Sequence, residues 1–475
     1  MSFFDQMATD DDGGRGGGAG DRSDGLTRRT LLHGWGGTPV TASDVVRPTN
    51  RDELVKAGLD AGPRGVIARG LGRAYGDAAM NAGGLVVDAT AVSGVLDLDP
   101  STGVVRALGG TSLDDLMRVS IPQGWFLPVT PGTRFVTLGG AIASDIHGKD
   151  HHAAGTFGSH VRQLVLGLAD GTTRTLTPES TPDEFWATCG GMGLTGTIVE
   201  ATVQFRPIAT SRILVDTDRV PDLDTLLTLL TEGESRFRYS VAWIDLIARG
   251  THLGRSVLYQ GDFAPRDALA PGAGDPLAFD PPSMVPAPPA PSGLMNRWSI
   301  QAFNELWYRR APRRRRDELQ SITEFFYPLD MIDRWPRLYG RRGFLQWQCL
   351  VPFGREDLLR SVVEDISGSH SASFLAVLKR FGEANPGHLS FPGPGWTLAL
   401  DLPAGDPSLV DLLGRLDREV AAAGGRVYLA KDSCVHPDLV PTMYPRLAEW
   451  RQVRDQLDPA QLINSDLARR LRLLG

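Results

Sequence analysis

Cysteine is scarce in this sequence, and its scarcity excludes several classes of protein. The 475 residues contain three cysteines, Cys189, Cys349 and Cys434, which are far apart and form no CxxC pair. A disulfide framework and a cysteine-based metal site are therefore excluded, and each cysteine is expected to be a buried or half-buried free thiol. The HExxH pattern of zinc hydrolases is also missing.

The sequence also lacks an excess of basic residues, and it lacks long apolar runs. Lys and Arg total 49 against 56 Asp and Glu, and the net charge of −7 argues against general nucleic-acid binding. No apolar run approaches the roughly 20 residues of a membrane span. No basic segment followed by an apolar one, as in a secretory signal, begins the chain. These features favour a cytoplasmic or peripheral-membrane protein.

The chain is long enough for two domains, and its composition changes along its length. Residues 1–27 are rich in Gly and Asp and are predicted to be a disordered tail. Residues 28–208 and 425–475 share one character, whereas residues 209–424 mix strand and helix patterns. Residues 424–432 are expected to form a strand that ends near Lys431. Nine prolines between Pro265 and Pro291 predict a mobile loop without regular structure over 263–298.

The stretch from Pro131 to His160 combines small residues with titratable ones. Gly139 and Gly140 allow a backbone to approach a large ligand closely, and their N–H groups suit an anion such as pyrophosphate. Asp145 and four of the nine histidines lie in the same stretch. It therefore predicts either an anion-binding turn next to proton-transfer residues or a glycine-rich loop with solvated histidines.

Two further glycine-rich segments occur, and neither is a Rossmann fingerprint. Residues 69–77 follow a short predicted strand, but their spacing is GxGxxxG and no amphipathic helix follows. Residues 191–196 fit GxGxxG, but they follow a predicted helix and precede a predicted strand. This order is the reverse of the dinucleotide-binding unit, although the loop can still contact a cofactor.

Taken together, these segments resemble the vanillyl-alcohol-oxidase class of FAD enzymes, which has a PCMH-type FAD-binding domain. The resemblance is carried by RGLGRAYGD, PGTRFVTLGGAIASDIHGKDHHAAGTFG, GGMGLTGTIVEATV and RVYLAKDS. Within that class the chain is similar to the family of flavoproteins that oxidise decaprenylphosphoryl-β-D-ribose. HGKDHHAAGTFG and AKDS are more specific than any glycine loop, and the likeness covers nearly the whole chain after residue 28.

The resemblance implies an α+β, two-domain fold with FAD as cofactor and an inserted α+β substrate domain. The implied cofactor-binding residues are Arg69, Gly70, Leu71, Gly72, Arg73, Ala74, Tyr75, Gly76, Asp77, Gly132, Thr137, Leu138, Gly139, Gly140, Ser144, Asp145, Ile146, His147, Ile198 and Tyr428. The implied substrate-binding residues are Gln346, Gln348, Tyr327, Ala399 and Lys431. The implied catalytic residues are Lys431, as a charge-stabilising group or a base, with His147 and Tyr75. No metal is expected.

The resemblance also implies a reaction. FAD-dependent oxidation of the 2′-hydroxyl of a polyprenyl-phosphate ribose would give the 2′-keto sugar, the first half of an epimerisation to the arabinose form used in arabinan of the cell wall. An NAD(P)H-dependent keto-reductase would complete it, and a cell-envelope location is possible. One alternative is an FAD oxidase of a soluble sugar, alditol or aldonolactone that uses O2. Another is a metal hydrolase built on His147, His151, His152 and His160.

Two positions depart from the wider pattern. Many relatives carry a histidine in the first glycine loop that bonds covalently to the flavin, but this loop reads Gly72-Arg73-Ala74-Tyr75, so non-covalent FAD is expected. Mycobacterial members carry a cysteine where this chain has Ala399. That cysteine takes no part in the redox chemistry, so the predicted oxidation stands.

An arginine-rich segment follows the proline-rich loop. It comprises Arg309, Arg310, Arg313, Arg314, Arg315 and Arg316. Such a run is either the solvated end of a helix or a dock for phosphate or anionic lipid headgroups.

Overall fold

The computed structural model describes residues 27–272, 274–287, 295–369 and 373–475. The predicted disordered tail lies outside this part of the chain, apart from Thr27. Within the described ranges, no helix combines the length and the apolar character needed to cross a bilayer.

A four-stranded sheet opens the fold. Its elements are β1 (Thr27–His33), β2 (Val40–Val46), α1 (Arg51–Lys56), β3 (Val66–Arg69) and β4 (Leu85–Asp88). The strand order is β1-β2-β4-β3, and β4 runs parallel to both β2 and β3. The glycine-rich loop that follows β3 therefore leaves the sheet at the carboxyl end of its edge strand.

A five-stranded antiparallel sheet, β5-β6-β10-β8-β9, comes next. The elements of this part are β5 (Val95–Leu98), β6 (Val104–Leu108), α2 (Leu113–Ser120), β7 (Trp125–Phe126), α3 (Leu138–Ala143), α4 (His151–Ala154), β8 (Val161–Gly167), β9 (Thr173–Leu176), α5 (Pro182–Thr188) and β10 (Thr197–Gln204). The GxGxxG segment lies between α5 and β10, so the predicted helix–loop–strand order is confirmed. Leu138, Ala141 and Ile142 of α3 are buried against this sheet.

The third sheet has eight strands in the order β16-β12-β14-β13-β19-β20-β18-β21. The last strand, β21, is Arg426–Val427 and comes from the C-terminal part of the chain. The elements from residue 206 to 422 are β11 (Arg206–Pro207), β12 (Arg212–Val220), α6 (Leu223–Glu232), β13 (Tyr239–Ile244), β14 (Ser256–Phe263), β15 (Val285–Pro286), α7 (Arg297–Arg310), β16 (Arg314–Ser321), α8 (Ile322–Phe326), β17 (Ile332–Asp333), β18 (Phe344–Pro352), α9 (Glu356–Gly368), β19 (Ala376–Phe381), β20 (Gly395–Pro403) and α10 (Pro407–Ala422).

The two faces of the large sheet have different partners. Apolar residues of α6, α9 and α10 form one core with Leu258, Leu378 and Leu398 from the strands. Since successive side chains alternate between faces, Val377 and Lys379, which flank Leu378, point to the opposite face. That face is directed at the glycine-rich loops, where it lines a large cavity.

The proline-rich segment is more ordered than its composition predicts. The Ser211 hydroxyl donates to the Ala278 carbonyl at 2.6 Å, and Val285–Pro286 pairs in parallel with β17. The helix α7 begins at Arg297, inside the predicted loop. The prediction of a segment without regular structure is therefore wrong for Val285–Pro286, which has a backbone partner in β17, and for the start of α7. Residues 273 and 288–294 lie outside the described residues.

The C-terminal residues return to the first sheet. They form β21 (Arg426–Val427), α11 (Val440–Met443), α12 (Leu447–Leu457) and α13 (Asp466–Arg470). Val66 and Ile463 form a parallel bridge, and the Trp450 indole donates to the Ala187 carbonyl at 3.0 Å. The strand predicted to reach Lys431 ends at Val427, and a short 3-10 turn carries the lysine instead. The division at 208/209 and 424/425 stays a prediction.

Candidate active site

A cavity of about 1030 Å³ lies between the glycine-rich loops and the open face of the eight-stranded sheet. It is lined by these residues from the sequence prediction: Arg69, Gly70, Leu71, Gly72, Arg73, Ala74, Tyr75, Gly132, Thr137, Gly139, Gly140, Ser144, Ile146, His147, Ile198, Gln346, Gln348, Ala399, Tyr428 and Lys431. Segments that are far apart in the chain thus meet around one space, which is larger than most small-molecule sites.

Three residues predicted to bind the cofactor lie outside the cavity lining. Gly76 packs against the Asp432 carbonyl, where an added Cβ would come within 2.1 Å of the oxygen. Asp77 pairs with Arg470 at 2.8 Å and ties the loop to α13. Leu138 is 1% exposed and packs in the core beneath α3. These three residues shape the loop and its support, since structural contacts already occupy them.

Asp145 and Tyr327 also lie outside the lining. Asp145 is fully buried with a φ of 41°, and its carboxylate accepts hydrogen bonds from the Gly158 N–H and the Ser390 hydroxyl. The Tyr327 hydroxyl is 2.6 Å from the hydroxyl of Thr130, which does line the cavity. Asp145 therefore organises the histidine-rich loop, and Tyr327 supports the cavity wall from behind.

The glycine wall, residues 69–75 together with 132–144, forms one side of the cavity. Gly139 N–H donates to the Gly109 carbonyl at 2.8 Å, so α3 lies directly against the neighbouring backbone. A Cβ on Gly70 would come within 2.2 Å of the Thr137 hydroxyl, which itself accepts from Gly140 N–H at 3.1 Å. The missing side chains let the two loops touch while their backbones face the cavity.

The lysine wall, comprising Gln346, Gln348, Lys379, Ala399 and Lys431, forms the opposite side. Its first four members come from β18, β19 and β20, and alternation places them on the same face. Lys431 lies on the 3-10 turn after β21, with its Nζ 4.9 Å from the centre of the Tyr75 ring.

Burial makes both lysines weaker bases than usual. Desolvation and the nearby Lys431 charge lower the pKa of Lys379 to about 7. Desolvation also lowers the pKa of Lys431, and Asp401 opposes that change. The Lys431 charge repels a second ammonium at Lys379, so Lys379 readily loses its proton near neutral pH. A lysine in this state can accept a proton from a substrate hydroxyl.

Asp401 pairs with Gln346 on the same face of the sheet, but it lies outside the cavity lining. It is fully buried, and its Oδ1 accepts a hydrogen bond from the Gln346 amide. Its Oδ2 has no hydrogen-bond partner among the described residues. Burial raises the pKa of Asp401. The carboxyl group therefore orients Gln346 and favours the ammonium form of the nearby Lys431.

A glutamine and a histidine connect the two walls. The Gln348 amide nitrogen donates to His147 Nε2 at 2.9 Å and to the Thr397 hydroxyl at 2.9 Å. This assignment leaves the histidine proton on Nδ1, which has no partner among the described residues. Burial lowers the pKa of His147 well below its usual value. His147 is therefore neutral and presents a hydrogen-bond donor.

Two cavity residues, Lys149 and Lys379, and the neighbouring Asp401 were missed or underused by the sequence analysis. Lys149 donates to the Phe325 carbonyl and lies 4.3 Å from the centre of the Phe325 ring, and burial lowers its pKa to about 7. Lys379 and Asp401 were not singled out at all. The alternation of Val377, Leu378 and Lys379 contains a signal for the first of these, but nothing local distinguishes that strand from any other half-buried strand.

The histidines do not form a metal centre. No group of three or more His, Cys, Asp or Glu suited to a metal occurs among the described residues. His152 Nε2 lies 2.9 Å from the Phe237 carbonyl and His160 Nε2 lies 2.8 Å from the Ala154 carbonyl. His151 Nδ1 accepts from the Gly382 N–H at 3.1 Å. Backbone groups thus occupy these rings, and the metal-hydrolase alternative finds no support.

Similarity to known proteins extends over the segments that carry both walls. The family model described as FAD binding domain matches residues 42–177, which include the glycine wall. Decaprenylphosphoryl-beta-D-ribose oxidase of Mycolicibacterium smegmatis is 44% identical over 456 residues, which are 94% of this chain and 98% of that protein.

The chain belongs to the decaprenylphosphoryl-β-D-ribose oxidase family. This result confirms the predicted family, the α+β class, the FAD cofactor and the oxidoreductase activity. An uncharacterised Streptomyces coelicolor protein is 43% identical over 76% of this chain and all of its own length. L-gulono-1,4-lactone dehydrogenase of Mycobacterium tuberculosis is 31% identical over 37% of this chain and 41% of its own length. The likeness to the oxidase family thus extends across both walls, whereas the likeness to the lactone enzyme is partial.

Proposed function

We propose that this protein uses FAD to oxidise the 2′-hydroxyl of decaprenylphosphoryl-β-D-ribofuranose to the 2′-keto sugar. The observation that best supports this proposal is a single cavity. Its glycine wall suits a dinucleotide, and its lysine wall presents buried basic groups. The name of the relative that matches nearly the whole chain supports the substrate.

The glycine wall fits FAD. Gly132 has no atom within 4 Å of the place where a Cβ would stand, so its backbone faces open space. Arg73 lies 3.6 Å over the Trp35 ring and donates to the Phe135 carbonyl at 2.9 Å, which fixes a cation at the cavity edge. Backbone N–H groups and one fixed cation suit the diphosphate of the cofactor. When bound, FAD supplies the hydride acceptor.

The protein holds FAD without a covalent bond, because no histidine lies between Gly70 and Gly76. Acid precipitation of the purified protein is expected to leave the yellow colour in the supernatant. A yellow pellet would show a covalent link and contradict this point.

Lys431 accepts the hydroxyl proton. Burial lowers its pKa and so makes the neutral amine accessible, although Asp401 opposes that change. As the C2′–H bond breaks and its electron pair leaves with the hydride, the O–H proton passes to Lys431 Nζ and a C=O bond forms. The new ammonium then balances the negative charge gained by the site.

His147 and the two glutamines hold the sugar. His147 is neutral and its Nδ1 proton is unpartnered in the described chain, so it donates to a ligand oxygen rather than accepting a proton. Gln346 and Gln348 are fixed by Asp401 and Thr397, respectively. Side chains locked in this way orient a substrate without losing further freedom on binding.

A soluble-sugar oxidase is less well supported. Its representatives among the relatives match less than two fifths of this chain. Several exposed apolar side chains, including Met331, Ile332 and Leu319, also line the cavity. An apolar rim suits a prenyl chain and gives no advantage with a soluble sugar.

The product requires a second enzyme. A 2′-keto sugar becomes the arabinose epimer only when hydride returns to the opposite face of C2′, so an NAD(P)H-dependent keto-reductase is the proposed partner. The lipid substrate also calls for peripheral membrane contact, to which the arginine-rich segment contributes. Arg310, Arg313 and Arg314 are exposed and form no ion pair with any described residue, whereas Arg315 pairs with Glu318 at 2.6 Å.

The decisive experiment is anaerobic reduction of the bound flavin. The purified FAD-containing protein is mixed with decaprenylphosphoryl ribose, and the flavin absorbance is followed. Stoichiometric bleaching with formation of the 2′-keto sugar is expected. Bleaching by a soluble alditol or lactone but not by the lipid-linked ribose would overturn the proposal.

A further inference from the structure

Four large apolar side chains stand on the outward side of α7. Trp298 is 79% exposed, Leu306 65%, Trp307 43% and Phe303 41%. At roughly 100° per residue these four span about half of the helix circumference, and the buried Ile300 and Asn304 follow beyond Trp307, where the helix meets the rest of the protein. Soluble proteins rarely expose so large an apolar cluster without a partner. These four residues are called the α7 face.

The α7 face continues into the cavity. Phe303 and Trp307 stack on each other with ring centres 6.0 Å apart, and both also line the cavity. Trp298 and Leu306 stand further out and do not line it. Exposed apolar side chains of α7 therefore extend from the outside of the helix to the mouth of the cavity.

Cations border the α7 face at its C-terminal end. Arg310 ends the helix, and Arg313 and Arg314 follow it directly. All three are exposed and lack an ion-pair partner within the described ranges, whereas Arg309 is paired with Glu305. Unpaired arginines beside exposed aromatic rings complement an anionic lipid surface.

We propose that the α7 face inserts into the interface of an anionic lipid bilayer and holds the cavity mouth against it. The inference rests on the proposed function, because a polyprenyl-phosphate substrate resides in a bilayer. Helices with Trp and Leu on one face and Arg at its edge lie in the membrane plane, and indole rings favour the headgroup region. A second copy of the chain or a protein partner on this face would cover the mouth, whereas a bilayer supplies the substrate through it.

Vesicle binding of the full-length, FAD-containing protein tests the proposal. Flotation uses phosphatidylcholine vesicles with and without phosphatidylglycerol. The double variant Trp298→Ser/Leu306→Ser should bind the anionic vesicles at least about ten-fold more weakly, because each side chain loses its transfer into lipid. The matched control Leu31→Ser/Val410→Ser also removes exposed apolar side chains, but from β1 and α10, and should bind like the unmodified protein.

A second readout separates insertion from adsorption. Brominated lipids quench tryptophans that enter the bilayer, so quenching should occur on binding and diminish in Trp298→Phe, which keeps an aromatic ring. Equal binding of the Ser variant and the unmodified protein, or binding without quenching, would overturn the proposal. So would an unmodified dimer that the Ser double variant converts to a monomer in the absence of lipid.

A soluble substrate analogue separates this inference from the proposed function. With a short-chain prenylphosphoryl ribose in solution, the double variant should reduce its flavin within about two-fold of the normal rate, because neither residue lines the cavity. With decaprenylphosphoryl ribose in vesicles, its rate should fall with its binding. If the unmodified protein oxidises neither substrate, the proposed function fails while the vesicle measurements still judge the α7 face.

Discussion

The glycine wall and the lysine wall enclose the same cavity with opposite means. The glycine wall presents its backbone to the ligand. Its glycines lack side chains, so backbone segments approach each other closely, as the hydrogen bond from Gly139 N–H to the Gly109 carbonyl shows. The second presents side chains whose acid–base properties are changed by burial, as in Lys379 and Lys431. We propose cofactor binding for the first wall and proton transfer for the second, so the two functions should separate on mutation.

The largest expected effect comes from the lysine wall. Lys431→Ala should slow flavin reduction by roughly 100- to 1,000-fold, since it removes both the proton acceptor and the compensating charge. FAD should stay bound, which its absorbance after gel filtration will show. Lys431→Arg is the matched control, because it keeps a cation but cannot act as a base; recovery of normal reduction in this variant would leave only a charge role for Lys431.

The glycine wall should give the reverse pattern. Gly70→Ala places a Cβ 2.2 Å from the Thr137 hydroxyl, and the resulting shift should weaken FAD binding by about ten- to a hundred-fold. The fraction that retains FAD should be reduced at a near-normal rate. Gly62→Ala is the control, because no atom lies within 4 Å of its Cβ position. Slower reduction in fully FAD-loaded Gly70→Ala protein would break the division between the walls.

The walls also differ in how far the sequence could predict them. The glycine wall comes from two continuous stretches, so small residues and spacing alone indicate a ligand-binding backbone. Lys379 and Asp401 lie on neighbouring strands and reach the site only through the register of β19 and β20. Their location therefore depends on strand pairing that no local pattern specifies. Tyr327 was placed in the substrate pocket by resemblance, but its hydroxyl bonds Thr130 from behind the wall.

The pH dependence should follow the lysine wall alone. Burial lowers the pKa of Lys431, so the ammonium form dominates below that pKa and the neutral base dominates above it. The rate of flavin reduction should therefore rise about ten-fold per pH unit and level off below about pH 10, where an ordinary lysine would only begin to lose its proton. Lys431→Ala should abolish the slope. A rate that falls as pH rises would instead show that the cation is the active form.

The smallest effect on turnover is expected at Ala399, which lines the lysine wall and pairs with Gln348 and Val377 across the sheet. The family resemblance implies that members with a cysteine at this position capture nitroaromatic inhibitors through it, after the inhibitors are reduced in the pocket. None of the three native cysteines lines the described cavity, and burial raises the pKa of each, including the adjacent Cys349, which points to the opposite face. A methyl group offers no nucleophile, so such compounds should inhibit the unmodified protein reversibly.

Ala399→Cys should form a covalent adduct, detected by intact-protein mass spectrometry, while flavin reduction stays within about two-fold of normal because the side chain bonds to no catalytic group. Ala399→Ser has the same shape without the sulfur and should form none. An adduct on the unmodified protein would identify a different nucleophile and place the reactive end of the inhibitor away from the lysine wall.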